Sequence, residues 1–306
     1  MNLVNPKLTV WMSAYNHEQY VEQAILSIVN QTFQDFELLV IDDGSSDSTP
    51  EIIERLSKEY GFYYERQENM GLVRTLNKLI GMGKGEYITG CASDDFWPLT
   101  RLEEQVAALD ENPEAALVHG IPAIVDGAGN IVKDQRYGLE QMLDGDSAFK
   151  DMIWLRKKFQ TTTTMIRVSV WRELGGYDEN IAVEDVDWML RVARSYTVKA
   201  IARVWTYYRK HGENWTMTPA GAHKLIRAER QVTRKLGGRA GCIFAFSRVP
   251  SWLLIARRSG LPSRYLYLFL LPLYFWKKSF VKNCLAVILG ENLVRKWFGS
   301  QLSQVS

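Results

Sequence analysis

The first 112 residues alternate two kinds of segment, and this alternation limits the architecture more than any other property of the chain. Residues 8–12 (LTVWM), 36–41 (FELLVI), 61–65 (GFYYE) and 87–91 (YITGC) are short runs rich in β-branched and aromatic side chains. They read as strands. The stretches between them have helical spacing. In residues 17–31, Val21, Ala24, Ile25, Ile28 and Val29 recur at the three- and four-residue steps of one helix face. Residues 71–83 and 99–109 also read as helices. Ser48-Thr49-Pro50-Glu51 reads as a further helix start, with Ser48 as cap, Pro50 in the first turn and Glu51 closing a capping box. Strand and helix in regular succession predict an α/β fold, a mostly parallel sheet with helices on both faces.

Beyond residue 112 the regular alternation stops. Residues 115–125 and 130–133, joined through Asp126-Gly127, read as a hairpin. Residues 139–158 read as helix, 161–166 as strand, 183–194 as helix and 198–208 as strand. This half is mixed and is expected to complete the same sheet. The expected division is a domain of residues 1–220, in two halves (1–112 and 113–220), followed by an extension of residues 221–306.

The extension differs in charge. It holds 15 Lys and Arg against two acids, a balance of +13, so the rest of the chain stands at −11 within a total of +2. It also carries the run YLYLFLLPLYFW at residues 265–276, flanked by Arg264 and Lys277-Lys278. The run is shorter than the roughly 20 residues a spanning helix needs. Aromatic ends and basic flanks suit a segment lying in a membrane interface, with Arg257, Arg258, Arg264, Lys277 and Lys278 at anionic head groups. A membrane surface is therefore expected as a partner, and nucleic acid is not. Three cysteines without a CxxC pair suit a reducing compartment. Residues 1–7 lack the apolar stretch of a secretory signal. The expectation is a cytoplasmic protein, peripheral at the inner face of the cell membrane, and self-association into a homo-oligomer is compatible with it.

The strand ends carry the chemistry. In such sheets ligands bind beyond the carboxyl ends of the strands. Here those ends read Ser13/Tyr15/Asn16, Asp42-Asp43-Gly44 and Asp94-Asp95. Two adjacent carboxylates repel, and a hard divalent cation, Mn²⁺ or Mg²⁺, relieves that repulsion while accepting phosphate oxygens. The Asp42-Asp43-Gly44 turn offers acceptors for a base or a ribose.

At this point the residues match a known pattern. Tyr15-Asn16, Gln31-Thr32-Phe33, Val40-Ile41-Asp42-Asp43-Gly44-Ser45-Ser46-Asp47-Ser48-Thr49, Asn69-x-Gly71, Asn77, Gly85-Glu86-Tyr87-Ile88 and Ser93-Asp94-Asp95 follow one another in the order seen in family 2 glycosyltransferases. Gly175-Gly176-Tyr177-Asp178-Glu179 and Glu184-Asp185-x-Asp187-Trp188 resemble that family's acceptor-side motif. The resemblance spans about residues 7–215. It implies a GT-A fold, a Rossmann-like mixed sheet that binds a nucleotide-sugar, and inverting, metal-dependent transfer in surface-polysaccharide synthesis. The implied donor is a UDP-hexose or UDP-N-acetylhexosamine, and the implied acceptor a lipid-linked or polysaccharide hydroxyl.

Carried over by position, Ser13, Tyr15, Asp43, Gly71, Arg74 and Asp94 would bind the nucleotide-sugar. Asp95, Asp94 and His211 would hold the metal, and Asp185 would be the general base. Glu184, Trp188 and Arg209 would lie at the acceptor or the diphosphate. The sequence departs from the pattern at Ala92, where many members carry an acid, so Asp95 is expected to bear the metal with help from Asp94 or His211. His17 is expected to be an ordinary helix-start residue, His119 a satisfied core histidine and His223 a solvated one. Two other functions compete. A sugar nucleotidyltransferase needs a glycine-rich loop after the first strand, and Ser13-Ala14-Tyr15-Asn16-His17 has no glycine. A non-catalytic nucleotide-sugar-binding membrane protein could do without acids, yet Asp43, Asp94, Asp95 and Asp185 are all present.

Overall fold

Period-two burial in the first strands decides which side each helix takes. Leu8, Val10 and Met12 of strand β1 (Leu8–Ala14) and Leu38 and Val40 of β2 (Phe36–Asp42) face one way. They pack with Val21, Ala24, Ile25 and Ile28 of helix α1 (Val21–Val29), Ile53 and Leu56 of α2 (Thr49–Tyr60), and Leu102, Val106 and Leu109 of α4 (Arg101–Glu111). Leu39, Ile41 and Trp11 face the other way, onto Leu79 and Met82 of α3 (Leu72–Met82). Burying each such aliphatic side chain contributes about 1.5–3 kcal/mol, so both faces of the sheet hold the fold.

The computed structural model describes residues 5–133, 142–157, 159–181, 183–212 and 219–258. The apolar run at 265–276, its basic flanks and Trp215 lie outside them. Two compact units divide the chain, residues 1–212 and 213–306.

In the first unit an eight-stranded sheet has the order β3-β2-β1-β4-β7-β5-β6, with β8 also paired to β5. The further strands are β3 (Tyr63–Arg66), β4 (Tyr87–Gly90), β5 (Ala115–Val125), β6 (Ile131–Lys133), β7 (Thr164–Arg167) and β8 (Thr197–Arg209). β1 runs parallel to β2 and β4, and β2 to β3. β7 lies antiparallel between β4 and β5, and β8 runs parallel to β5. The carboxyl ends of β1, β2, β4, β5 and β8 therefore share one edge with the start of β7.

The sheet is mixed, and several local expectations change. Ser48 makes no side-chain cap; Asp47 Oδ1 accepts from Thr49 N (3.0 Å) and Glu18 Oε2 from Ser48 N (2.8 Å) in its place. Of the helix expected over 139–158, the described part is helical only at α5 (Ala148–Ile153). Thr161–Thr163 form a 3₁₀ turn before β7. A short helix, α6 (Val168–Leu174), was not foreseen; it leads toward α7 (Glu184–Ser195).

One buried cation braces the sheet under its functional edge. Arg101 donates through Nη1 to Trp205 O (2.9 Å) and Thr206 Oγ1 (2.7 Å), through Nη2 to Thr89 Oγ1 (3.0 Å) and through Nε to Gln105 Oε1 (3.1 Å). Its guanidinium also lies 3.8 Å over the Trp97 ring. Burial pushes its pKa down to about 9.

The second unit contains α8 (Pro219–Leu236) and α9 (Gly238–Arg258), reversed at Gly237 and Gly238, whose φ values of +57° and +46° suit glycine. Gly241 permits a close approach, since a Cβ there would meet Thr233 O at 2.6 Å. Glu229 of α8 pairs with Arg248 of α9 at 3.0 Å. No helix among the described residues is long and apolar enough to cross a membrane.

His119 on β5 is in the core, as expected, but only half satisfied. Its Nε2 bonds Leu143 O at 2.7 Å, while its Nδ1 is buried without a partner. Burial lowers its pKa from 6.5 to about 4. The unfolded chain therefore takes the proton first, and this stability, complete above the unfolded pKa, is lost as pH falls from about 6.5 to 4. The loss amounts to about 3 kcal/mol. His119→Gln removes the titration and keeps a donor for Leu143. Its urea midpoint should fall less than that of the wild type between about pH 7 and pH 5, and equal losses would refute the assignment.

Candidate active site

The loops after β1 and β2 are laced together through side-chain caps. Asn16, at φ +52°, accepts through Oδ1 from Ser46 N (2.8 Å), and its own N–H donates to Ser45 Oγ (2.9 Å). His17 N donates to Thr49 Oγ1 (2.9 Å). A serine- and aspartate-rich turn thus builds a rigid rim without regular structure. Ser13 ends this strand face, and Tyr15 stands 48% exposed beside it.

Asp43 faces inward from this rim. Its Oδ1 accepts from Gln67 Nε2 (2.8 Å) and Met70 N (2.9 Å), and its Oδ2 from Gly71 N (3.0 Å). The carboxylate shapes the loop that leads into α3. Gly71, at φ +85°, takes a conformation that L side chains rarely adopt.

The two carboxylates after β4 part company. Asp94 Oδ2 meets His211 Nε2 at 3.1 Å. His17 joins them, with Nδ1 2.7 Å from Ser93 Oγ, and ligand atoms of His17, Asp94 and His211 all lie within 4.8 Å of one another. The His211 ring is held against Tyr20, centroids 4.7 Å apart, and edge-on to His17 at 6.0 Å. Two imidazoles and a carboxylate converging in this way suit a divalent cation.

Asp95, expected among the ligands, lies outside that cluster. It is 1% exposed, its Oδ1 accepts from Arg209 N (2.9 Å), and its Oδ2 is buried without a partner. Burial, and then the Asp94 charge, push its carboxyl well above the usual range. The repulsion expected between neighbours is thus eased by turning one acid inward and favouring its neutral form.

Arg209 also differs from expectation. Its guanidinium is buried and donates to Asp94 O (2.8 Å), Gly127 O (2.7 Å) and Gln23 Oε1 (2.5 Å). Tyr20 and Phe96 cover it, at 4.8 and 5.2 Å. The fork is committed to holding the loops after β4 and β5 and is not presented to a diphosphate.

Glu184 and Asp185 open α7, and Asp185 Oδ2 accepts from Thr161 Oγ1 at 3.5 Å. Thr161 precedes β7, whose start lies at the carboxyl edge, so Asp185 belongs to that edge too. Burial, then the Asp185 charge, raise the Glu184 carboxyl to about 7. Asp187 turns inward and pairs with Arg191 Nε at 3.0 Å. Trp188, expected at the acceptor or the diphosphate, is 1% exposed and packs between Trp171 and Tyr177, at 5.1 and 6.2 Å. It serves the core beneath the acidic turn.

Two residues stitch the halves together. Asn77 donates through Nδ2 to Tyr177 O (3.0 Å) and accepts through Oδ1 from Tyr177 N (3.0 Å). Arg74, largely exposed, pairs with Glu179 at 3.3 Å. From the other side Arg191 donates to Leu174 O and Gly176 O, both at 2.5 Å. Asn77→Leu leaves the Tyr177 peptide group without its partners, at about 1–3 kcal/mol. Urea denaturation should show that loss, and an unchanged midpoint would contradict the stitch.

His17 was the residue missed from sequence. Its signal was its place directly beyond β1, on the edge where Asp94 stands.

With this geometry in view, comparison with known proteins is direct. Residues 9–175 match the model of Glycosyl transferase family 2. The chain is 30% identical over 197 residues to a putative glycosyltransferase, EpsE, of Bacillus subtilis, covering 61% of this chain and 66% of that one. It is 36% identical over 131 residues to an uncharacterized glycosyltransferase of Haemophilus influenzae, covering 42% of this chain and 52% of the other. The matches thus span about half to two-thirds of the length of these relatives. In structure it resembles S. aureus TarS 1–349 in complex with UDP-GlcNAc, at TM-score 0.60 and 18% identity, covering 93% and 92% of the two chains. It also resembles the mannosyltransferase PcManGT of Pyrobaculum calidifontis in complex with GDP-Man and Mn²⁺, at TM-score 0.62 and 17% identity, covering 97% and 88%. The family match and the structural likeness agree: this chain belongs to glycosyl transferase family 2 and has the GT-A fold.

Proposed function

We propose that the protein is an inverting, metal-dependent glycosyltransferase. It moves a sugar from a nucleotide-sugar to a hydroxyl of a lipid-linked or polysaccharide acceptor in surface-glycan synthesis. The observation that carries this reading is the convergence of His17, Asp94 and His211 on one sheet edge with Asp43 and Asp185. The ligands of the structural neighbours, UDP-GlcNAc in TarS and GDP-Man with Mn²⁺ in PcManGT, support a nucleotide-sugar donor and a divalent cation. We favour a UDP-hexose or UDP-N-acetylhexosamine as donor.

Ser13, Tyr15 and the rim shaped by Asp43 and Gly71 receive the nucleotide, and Arg74 stands at its margin. His17, Asp94 and His211 hold the cation; imidazole nitrogens in the set favour Mn²⁺ over Mg²⁺, which prefers oxygen and water. When bound, the cation neutralises the charge that grows on the leaving diphosphate. Asp185 takes the proton of the acceptor hydroxyl, whose oxygen then attacks the anomeric carbon from the face opposite the diphosphate. The C–O bond to the diphosphate breaks, and the sugar is inverted. Glu184, whose carboxyl is raised to about 7, keeps a second negative charge away from Asp185 at lower pH. Asp95 and Arg209 position Asp94 from beneath. The extension meets the inner face of the cell membrane, where lipid-linked acceptors reside.

The test is Asp185→Asn. Metal-dependent transfer, with the donor found from a panel of nucleotide-sugars, should fall about 10²–10⁴-fold. Donor-induced thermal stabilisation should persist. Near wild-type turnover would remove Asp185 from the role of base.

A further inference from the structure

Two charged surface helices, α2 and α8, treat their charge differently. α2 interleaves signs, with Glu54 paired to Lys58 at 2.6 Å and Arg55 to Glu59 at 3.7 Å, as solvated helix faces commonly do. α8 does not. His223, Lys224, Arg227, Arg230, Arg234 and Lys235 are all exposed. The acid of α8, Glu229, is buried against Arg248.

The spacing makes a ridge of three arginines. At 100° per residue, Arg227, Arg230 and Arg234 fall within about 60° of one another. Buried Ala228 and Val232 lie on the opposite side. Like charges at this spacing weaken a helix, so the ridge carries a cost that a mixed surface would not.

We infer that the exposed ridge of α8 is a docking surface for the anionic head groups of a membrane. This deepens the membrane part of the function proposed above and rests on it. Charge complementarity selects the occupant, and the aromatic, apolar run at 265–276 of the same extension favours a bilayer over a nucleic acid. Because the apolar side of α8 is buried, its contact stays at the level of the head groups. Binding through the ridge is then electrostatic and sensitive to salt, unlike insertion by an apolar segment.

The experiment is sedimentation of the full chain with vesicles of phosphatidylcholine, alone or with about 30% phosphatidylglycerol. The wild type should prefer the anionic vesicles, and the preference should collapse between about 0.05 and 0.5 M salt. At about five-fold per charge near such a surface, Arg227→Glu/Arg230→Glu/Arg234→Glu should reduce the anionic partition coefficient at least about 100-fold. Binding to neutral vesicles, which reports the apolar run, should not change. Arg227→Gln/Arg230→Gln/Arg234→Gln gives a milder version of the same loss should the first variant fold poorly. A preference that survives either folded variant overturns the inference. So does an absence of preference in the wild type, or RNA binding that the same substitutions abolish without a vesicle preference. A wild type that binds no vesicles at all, neutral included, would refute the wider membrane reading as well.

Discussion

Two successive carboxylates cannot share one environment, and much of the site follows from how this chain separates them. Asp94 turns outward to the histidines and Asp95 turns inward to the backbone of Arg209. That inward contact needs β8 to end beside the turn that follows β4. The guanidinium of Arg209 then fills the space beneath, bound to Asp94 O and to the loop after β5. Arg101 braces the same two strands one layer deeper. The outward acid is positioned over buried polar groups that come from the turn after β4, from β8 and from helix α4.

This arrangement gives different roles to residues of the same chemical type. Asp43 and Asp95 are buried, Asp94 meets His211 and Asp185 meets Thr161, and Asp187 holds an arginine. Arg209 and Arg191 work on backbone carbonyls, whereas Arg74 lies on the surface. Residue type alone does not separate these roles; the direction of the side chain does.

The fold class was legible because period-two and helical patterns report directly on burial. The parallel half of the sheet, the hairpin after β5 and the acidic start of α7 were all foreseen from such patterns. The antiparallel insertion of β7 and the short α6 were not, because they depend on contacts between distant segments. In the site, the clustering of polar residues at strand ends was visible in the sequence. The inward turn of Asp95, the burial of Trp188 and the inclusion of His17 were not visible, since each depends on which way one side chain points within a turn.

The stitch made by Asn77 has a consequence for how such a protein can diversify. Its amide grips the peptide group of residue 177 and does not contact that residue's side chain through these bonds. A main-chain partner is the same whatever side chain it carries. As far as these two bonds go, the segment opposite α3 can change the side chain at residue 177 and stay in register with α3. The backbone path through Gly175 and Gly176 must be kept, since a Cβ added at Gly176 would lie just 3.1 Å from Asn77 Oδ1. That stitch is indifferent to the side chain it holds, whereas the Arg74–Glu179 pair ties the same joint to one particular side chain.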